Sequence, residues 1–248
     1  EEAEPERFDV DTESVRQALD EACEPDEAAT LVEVEARDVV AAYGIPIPDA
    51  RLARTSEEAV AFAEEIGFPV VLKIASPDIL HKSDVGGIEV GLADEDEVRQ
   101  AYDRVMSRAR QHAPEGEIWG ALVQEMVAEG KEVIVGMNRD PQFGPLMMFG
   151  LGGIYVEVLE DVTFRLAPVA ATEAEAMIDE IDASPLLRGA RGEQAVNLEA
   201  IVKIIQRASQ LAVDFPEITA LDLNPVVARP DGALAIDARL SVEKRAEC

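Results

Sequence analysis

The sequence predicts an α+β protein built as two α/β lobes. Three observations point there. Helical and strand patterns alternate along the 248 residues. Neighbouring strands near 121–150 and 219–238 are joined by turns too short for parallel crossovers, so they read as antiparallel. A hydrophobic share of 48 % supplies a packed core despite the charge, and the length suits one large domain or two small ones.

The elements follow in order. Residues 1–11 are charged and read as a frayed end. Thr12 to Ala22 reads as a short helix capped by Thr12 and broken by Glu24-Pro25-Asp26. Leu31 to Tyr43 has helical spacing and stops at Gly44, ahead of Pro46 and Pro48. Arg51 to Ala53 is a short strand, and Ser56 to Ile66 a helix between a Ser56 cap and a Gly67 terminator. Val70-Val71-Leu72-Lys73-Ile74 is almost wholly apolar, as a strand buried on both faces requires. Ile88 to Leu92 alternates as a strand, Asp94 to Arg110 is helical, and Ala121 to Val127, Lys131 to Asn138 and Leu146 to Gly150 are strands. Glu173 to Asp179 and Leu198 to Asp214 are later helices, and Thr219 to Ala228 with Ala233 to Ala238 forms a terminal hairpin. The expected organisation is an acidic extension over 1–30, a helix over 31–45, a first lobe over 46–122 and a second over 123–248.

Charge reports habitat before chemistry. Acidic residues number 51 and basic ones 22, a formal charge of −29, and 17 of the basic residues are Arg. In dilute buffer such a surface repels itself, and concentrated salt screens the repulsion. Because the carboxylates are dispersed, the pattern reads as adaptation to a salt-loaded cytoplasm; an acidic face for a basic partner is the alternative. No apolar run approaches the about 20 residues of a membrane span. The acidic amino end is unlike a secretory signal, and a basic nucleic-acid footprint is missing. Cys23 and Cys248 lie outside metal or redox spacings, which fits a reducing compartment.

Several polar positions stand out. Lys73 interrupts an apolar strand, so its ammonium either meets a ligand phosphate or snorkels from the strand end. His81-Lys82-Ser83-Asp84-Val85-Gly86-Gly87 is a polar loop closed by two glycines whose N–H groups are candidates for phosphate oxygens. His81, with an unperturbed pKa of about 6.5, is a candidate phosphoryl-accepting nucleophile; His112 has no such setting. Glu125 and Glu132 flank a short turn. The chain where the first strand ends, at Val127, is placed to meet a nucleotide base, and Glu132 to meet ribose hydroxyls. Gly150-Leu151-Gly152-Gly153 lacks the following helix of a dinucleotide fingerprint and is either a tight turn or a phosphate loop. Beyond it, Arg165 is a candidate for stabilising transferring charge.

Asp222-Leu223-Asn224-Pro225 puts two oxygen ligands on one strand face. With Pro230-Asp231 as a two-residue loop, Asp237 pairs directly with Asn224 and three hard donors converge, a set suited to Mg²⁺ beside phosphates. If Gly232 joins the loop, Asp237 moves to the other face unless a bulge restores it.

From about Leu31 to Leu240 these motifs together resemble the ATP-grasp domain of the ADP-forming acyl-CoA synthetases, most closely the β subunit of the archaeal acetyl-CoA enzymes. The matching residues are Tyr43-Gly44-Ile45-Pro46, the Val-Val-Leu-Lys73 strand, the loop from His81 to Gly87, Gly150 to Gly153, Asp161 with Arg165 and Pro168, and Asp222-Leu223-Asn224-Pro225. The resemblance implies an ATP-grasp fold with nucleotide bound between two lobes, and a relay in which phosphohistidine passes a phosphoryl group to ADP. It would make His81 the carrier and Arg165 the group steadying the phosphoryl. Lys73, Gly86 and Gly87 would lie on nucleotide phosphates, Glu125 and Val127 on adenine, and Glu132 on ribose. Asp222, Asn224 and Asp237 would hold Mg²⁺. The chain lacks a CoA-binding fingerprint, so a CoA-binding α subunit, in an α2β2 assembly, would complete the reaction. A ligase acting through acyl phosphate without phosphohistidine, and a non-catalytic ATP sensor, remain the alternatives.

Overall fold

The computed structural model describes residues 4–22, 28–79, 81–152, 161–189 and 192–243. Cys23, the Glu24-Pro25-Asp26 break, Gly153 and Cys248 lie outside them. In chain order the elements are helix α1 (Thr12–Ala22), strand β1 (Ala28–Leu31), α2 (Glu33–Ala42), β2 (Ala50–Ala53), α3 (Ser56–Ile66), β3 (Val70–Ala75), β4 (Ile88–Leu92), α4 (Glu95–His112) and β5 (Gly120–Glu125). There follow β6 (Lys131–Asp140), β7 (Gly144–Leu151), β8 (Val162–Leu166), α5 (Ala171–Glu180), α6 (Ser184–Leu187), α7 (Leu198–Asp214), β9 (Ile218–Arg229), β10 (Gly232–Ala235) and β11 (Ala238–Glu243). They form two compact units, one of Glu1–Leu31, Glu35–Ile47 and Glu129–Cys248, the other of Val32–Val34 and Pro48–Ala128. The second division thus falls after Ala128, not at 122/123, because β5 is a strand of the smaller unit's sheet.

In the larger unit an antiparallel sheet runs β1-β11-β9-β6-β7-β8, with β10 on β9. One face is buried by helices. Along α7 the apolar residues Ile201, Ile204, Ile205, Ala208, Leu211 and Ala212 recur at helical spacing and are buried in one cluster with Val135, Met137, Met147, Phe149, Leu221 and Leu223 of the sheet. Each large aliphatic side chain so buried contributes about 1.5–3 kcal/mol. Asn197 starts α7 by accepting the Ala200 N–H at 3.0 Å.

The amino-terminal stretch is part of this core rather than an extension. Val15 and Leu19 of α1 are buried in it, and β1 pairs with β11 from Ala28↔Glu243 to Leu31↔Leu240. Leu31 therefore ends a strand, and the helix begins at Glu33. Near the supposedly frayed end, Phe8 donates its N–H to Gln210 at 2.8 Å.

The smaller unit holds the antiparallel sheet β2-β5-β3-β4, with α3 and α4 packed on it through Ala59, Ala63, Val98, Ala101 and Val105. Every residue of the central strand β3 is buried, which explains its apolar run. Two caps sit one residue earlier than expected. Thr55, not Ser56, accepts the Glu58 N–H at 3.1 Å, and Asp11, not Thr12, accepts the Ser14 N–H at 3.0 Å. In each case the side chain must stand just outside the first helical residue to reach the third N–H. Among the described residues no helix is long and apolar enough to cross a membrane.

Candidate functional site

Within the smaller unit the sequence-predicted Lys73 is buried, and its ammonium is already paired. Nζ donates to Glu33 Oε1 at 2.6 Å and to Gln124 Oε1 at 3.1 Å. The other Glu33 oxygen lies 2.9 Å from Lys82 Nζ. One carboxylate, 2 % exposed, thus serves two ammonium groups. Burial pushes its pKa up, but the charges and hydrogen bonds of Lys73 and Lys82 outweigh that and hold it below the ordinary carboxylate range. Neither Glu33 nor Gln124 stood out in the sequence. An acidic residue opening a helix reads as an ordinary complement to the helix dipole, and the separation of 40 residues from Lys73 hides the pairing.

The loop after β3 presents His81 exposed to solvent. Its backbone is tied to itself and to β3: Gly87 donates its N–H to Lys82 O at 2.7 Å, Gly86 to Ser83 O at 3.1 Å, and Ile74 donates to Gly87 O at 2.8 Å. The two glycine N–H groups proposed for phosphate are therefore spent inside the loop, and that role is corrected. Gly87 has a packing reason instead, since a Cβ there would stand 2.7 Å from Ile74 Cγ2 and 3.0 Å from Lys82 O. Glu125 ends β5, exposed, with its N–H on Asp49 O at 2.8 Å; Val127, half-buried, follows it outside the strand.

In the larger unit the hairpin register is the one that brings the oxygen donors together. Pro230-Asp231 is the two-residue loop between paired Arg229 and Gly232. The same register continues to Leu223↔Ala238 and Asp222↔Arg239, so Asn224 stands opposite Asp237 and donates its N–H to the Asp237 carbonyl at 3.3 Å. Asp222 and Asn224 share one strand face. Asp222 reaches the surface, yet its carboxyl is pushed up from the ordinary range, first by desolvation and in smaller part by the Asp237 charge, with Arg239 opposing. Arg239, unremarked in the sequence, follows the period of two from Asp237. Among the described residues no three His, Cys, Asp or Glu side chains form a cation cage; the hairpin offers two carboxylates and an amide. Glu132 is exposed on β6, two positions from Ile134 and four from Gly136, which pairs with Asp222. It therefore belongs to the same sheet face. Gly152 packs against it, its N–H on Glu132 O at 2.7 Å and its missing Cβ 3.0 Å from the Glu132 backbone, so that glycine serves strand contact.

Arg165 does not join this group. Paired residues run Leu221↔Met137, Met137↔Met147 and Met147↔Arg165 across the sheet, and Asp222↔Gly136, Gly136↔Met148 and Met148↔Phe164 beside them. Directly paired residues share a face and successive ones alternate, which puts Arg165 on the helix-covered side, opposite Asp222. Its guanidinium is ion-paired with Glu180 of α5. The proposed role on the transferring phosphoryl is accordingly withdrawn. Asp161 accepts the N–H groups of Asp182 and Ala183 at 2.7 and 2.9 Å and anchors the turn after α5.

Two antiparallel α+β units, one with a buried lysine beside a histidine loop and the other with carboxylates on an open sheet face, define a nucleotide-handling fold. The chain belongs to the ATP-grasp domain family, whose profile matches residues 22–242. It is 51 % identical over 210 residues to the β subunit of acetate–CoA ligase (ADP-forming) I of Pyrococcus furiosus, covering 85 % of this chain and 90 % of that one. A solved acetyl-coenzyme A synthetase 1 of Candidatus Korarchaeum cryptofilum, in complex with coenzyme A and Ca-AMPCP, superimposes with a TM-score of 0.85 at 50 % identity, over 86 % of this chain and 93 % of that one. A second structure of that enzyme, with coenzyme A and Mg-AMPPCP and its phosphohistidine segment pointing towards the nucleotide site, gives a TM-score of 0.79 at 44 % identity, over 93 % of this chain and 99 % of that one.

Proposed function

We propose that this chain is the nucleotide-binding, phosphoryl-transferring subunit of an ADP-forming acyl-CoA synthetase, an acid–thiol ligase that interconverts acyl-CoA, ADP and phosphate with carboxylate, ATP and CoA. The carrying observation is His81, exposed on a loop whose next residue, Lys82, shares Glu33 with the buried Lys73. A solvent-facing imidazole is free to attack phosphorus, and the loop's backbone bonds shape the turn that presents it. An imidazole nitrogen attacks the phosphorus of a phosphoryl donor held by the α-type partner as the donor's own bond to phosphorus breaks, and an oxygen of the ADP β-phosphate then takes the group as the N–P bond breaks. Charge neutralisation and positioning are most of such a step. Lys73 supplies the cation for nucleotide phosphates. The backbone near Glu125 and Val127 meets adenine, and Glu132 meets ribose.

The hairpin's donor set fits Mg²⁺: hard oxygens from Asp222, Asn224 and Asp237, with a partly desolvated Asp222 carboxyl that a cation would stabilise in its charged form. Bound there, the ion would neutralise phosphate charge. The missing chemistry, CoA binding and acyl activation, belongs to an α-type partner in an α2β2 assembly working in a salt-rich cytoplasm. In keeping with the charge of −29, the melting temperature should fall markedly when KCl is diluted; an unchanged value would remove the salt adaptation.

The test is to incubate the chain in high KCl with Mg²⁺ and γ-³²P-ATP, beside His81→Asn. Acid-labile, base-stable label that the variant lacks supports the relay. Nucleotide binding without covalent label, even with the α-type subunit added, overturns it.

A further inference from the structure

Glu33 touches both the strand lysine and the histidine loop. Its two oxygens are divided, one at 2.6 Å from Lys73 Nζ and the other at 2.9 Å from Lys82 Nζ. All three side chains are 10 % exposed or less, so two ammonium groups share one carboxylate away from water. A shared acceptor binds each donor less firmly than an undivided one. The loop is also hinged to the same strand through Gly87 O and the Ile74 N–H, one residue beyond Lys73. A change at Lys73 therefore has two short routes to the segment carrying His81.

We propose that Glu33 is a positioning residue that couples occupancy at Lys73 to the His81 loop. A nucleotide phosphate draws Lys73 Nζ away, and the undivided carboxylate then grips Lys82 and tightens residues 81–87. The inference rests on the reading of Lys73 as a phosphate ligand and adds to it a regulation of the phosphoryl carrier: the loop is loose while the nucleotide site is empty and firm once it is filled. Glu33 touches no reacting atom, so its effect passes through the two lysines.

Hydrogen exchange over residues 81–87 of the full chain, with and without Mg²⁺ and the non-hydrolysable analogue AMPPCP, tests this, with nucleotide affinity measured by calorimetry in parallel. In the wild type the analogue should slow exchange by about fivefold, the protection one added hydrogen bond supplies. Lys82→Met should bind the analogue nearly as well yet show no slowing, and Lys82→Arg should restore it. Glu33→Gln should behave as Lys82→Met does; if it fails to fold, the Lys82 pair of variants decides alone. A purely structural Glu33 predicts instead that Lys82→Met keeps the nucleotide response, and that result overturns the coupling. So does a wild type that binds the analogue with unchanged exchange, which leaves the functional reading standing. A wild type that binds no nucleotide overturns both.

Discussion

The cluster around Lys73 and the hairpin at Asp222 present opposite electrostatic problems. Glu33 is outnumbered by two lysines and its carboxyl is held low. Asp222 is held high by desolvation first, with the Asp237 carboxylate adding to it and Arg239 opposing. The first cluster gathers two ammonium groups, a grouping suited to a phosphate, and the second gathers two carboxylates, a pair suited to a metal ion. The difference also separates stability from function. The lysine cluster helps hold its unit together, whereas the desolvated Asp222 carboxylate sits at some cost to the fold.

Removing one partner from each cluster sharpens that contrast. Lys73→Met leaves a buried carboxylate with a single cation and should cost about 3 kcal/mol of stability, the scale for breaking a buried pair. Chemical denaturation measures it, and a neutral result would mean that Lys82 alone satisfies Glu33. Asp222→Asn should do the reverse: stability kept or raised, with Mg²⁺-dependent phosphoryl labelling of the chain lowered about 100-fold, as for a lost metal ligand. Wild-type labelling in that variant would place the ion elsewhere.

The two regions should also answer acid with opposite signs. Glu33, with a lowered folded pKa, adds stability that is present above the ordinary carboxylate range and lost as pH falls through its folded value. Asp222, with a raised one, costs stability above its folded value, and the cost disappears as pH falls below the ordinary range. Melting curves from neutral pH downward should show the deficit of Glu33→Gln shrinking and the advantage of Asp222→Asn vanishing. Parallel curves for all three proteins would break the comparison. The smallest effect belongs to Arg165→Gln. With the side chain on the helix-covered face and its ion pair partly exposed, stability should drop by less than about 1 kcal/mol. Labelling should stay near wild type, and a collapse of labelling would restore the role withdrawn above.

Much of the fold was legible because it follows from local periodicity. Helix α7 occupies the expected span Leu198–Asp214, and β4 the expected Ile88–Leu92, since each has an apolar pattern of one period between clear stops. Caps shifted by one residue because neighbouring polar side chains at Thr55-Ser56 and Asp11-Thr12 are equally able to accept, and only backbone geometry chooses. Strand β1 escaped notice because its partner, β11, lies at the other end of the sequence. Leu31 and Val32 blend into the helical spacing that follows.

The site divides the same way. Chain order and residue type by themselves determined the histidine loop, the lysine inside an apolar strand, the Asp-Leu-Asn-Pro donors and the membership in a nucleotide-handling family, because each is a short run whose chemistry is intrinsic. Only the tertiary structure chose between the hairpin registers, took the Gly86 and Gly87 amides for the loop's own turn, set Arg165 on the far side of its sheet and seated Glu33 between Lys73 and Lys82. The physical reason is common to all four: pairing register and long-range packing decide which face a side chain occupies and which groups are left to meet a ligand, and neither is encoded in neighbouring residues alone.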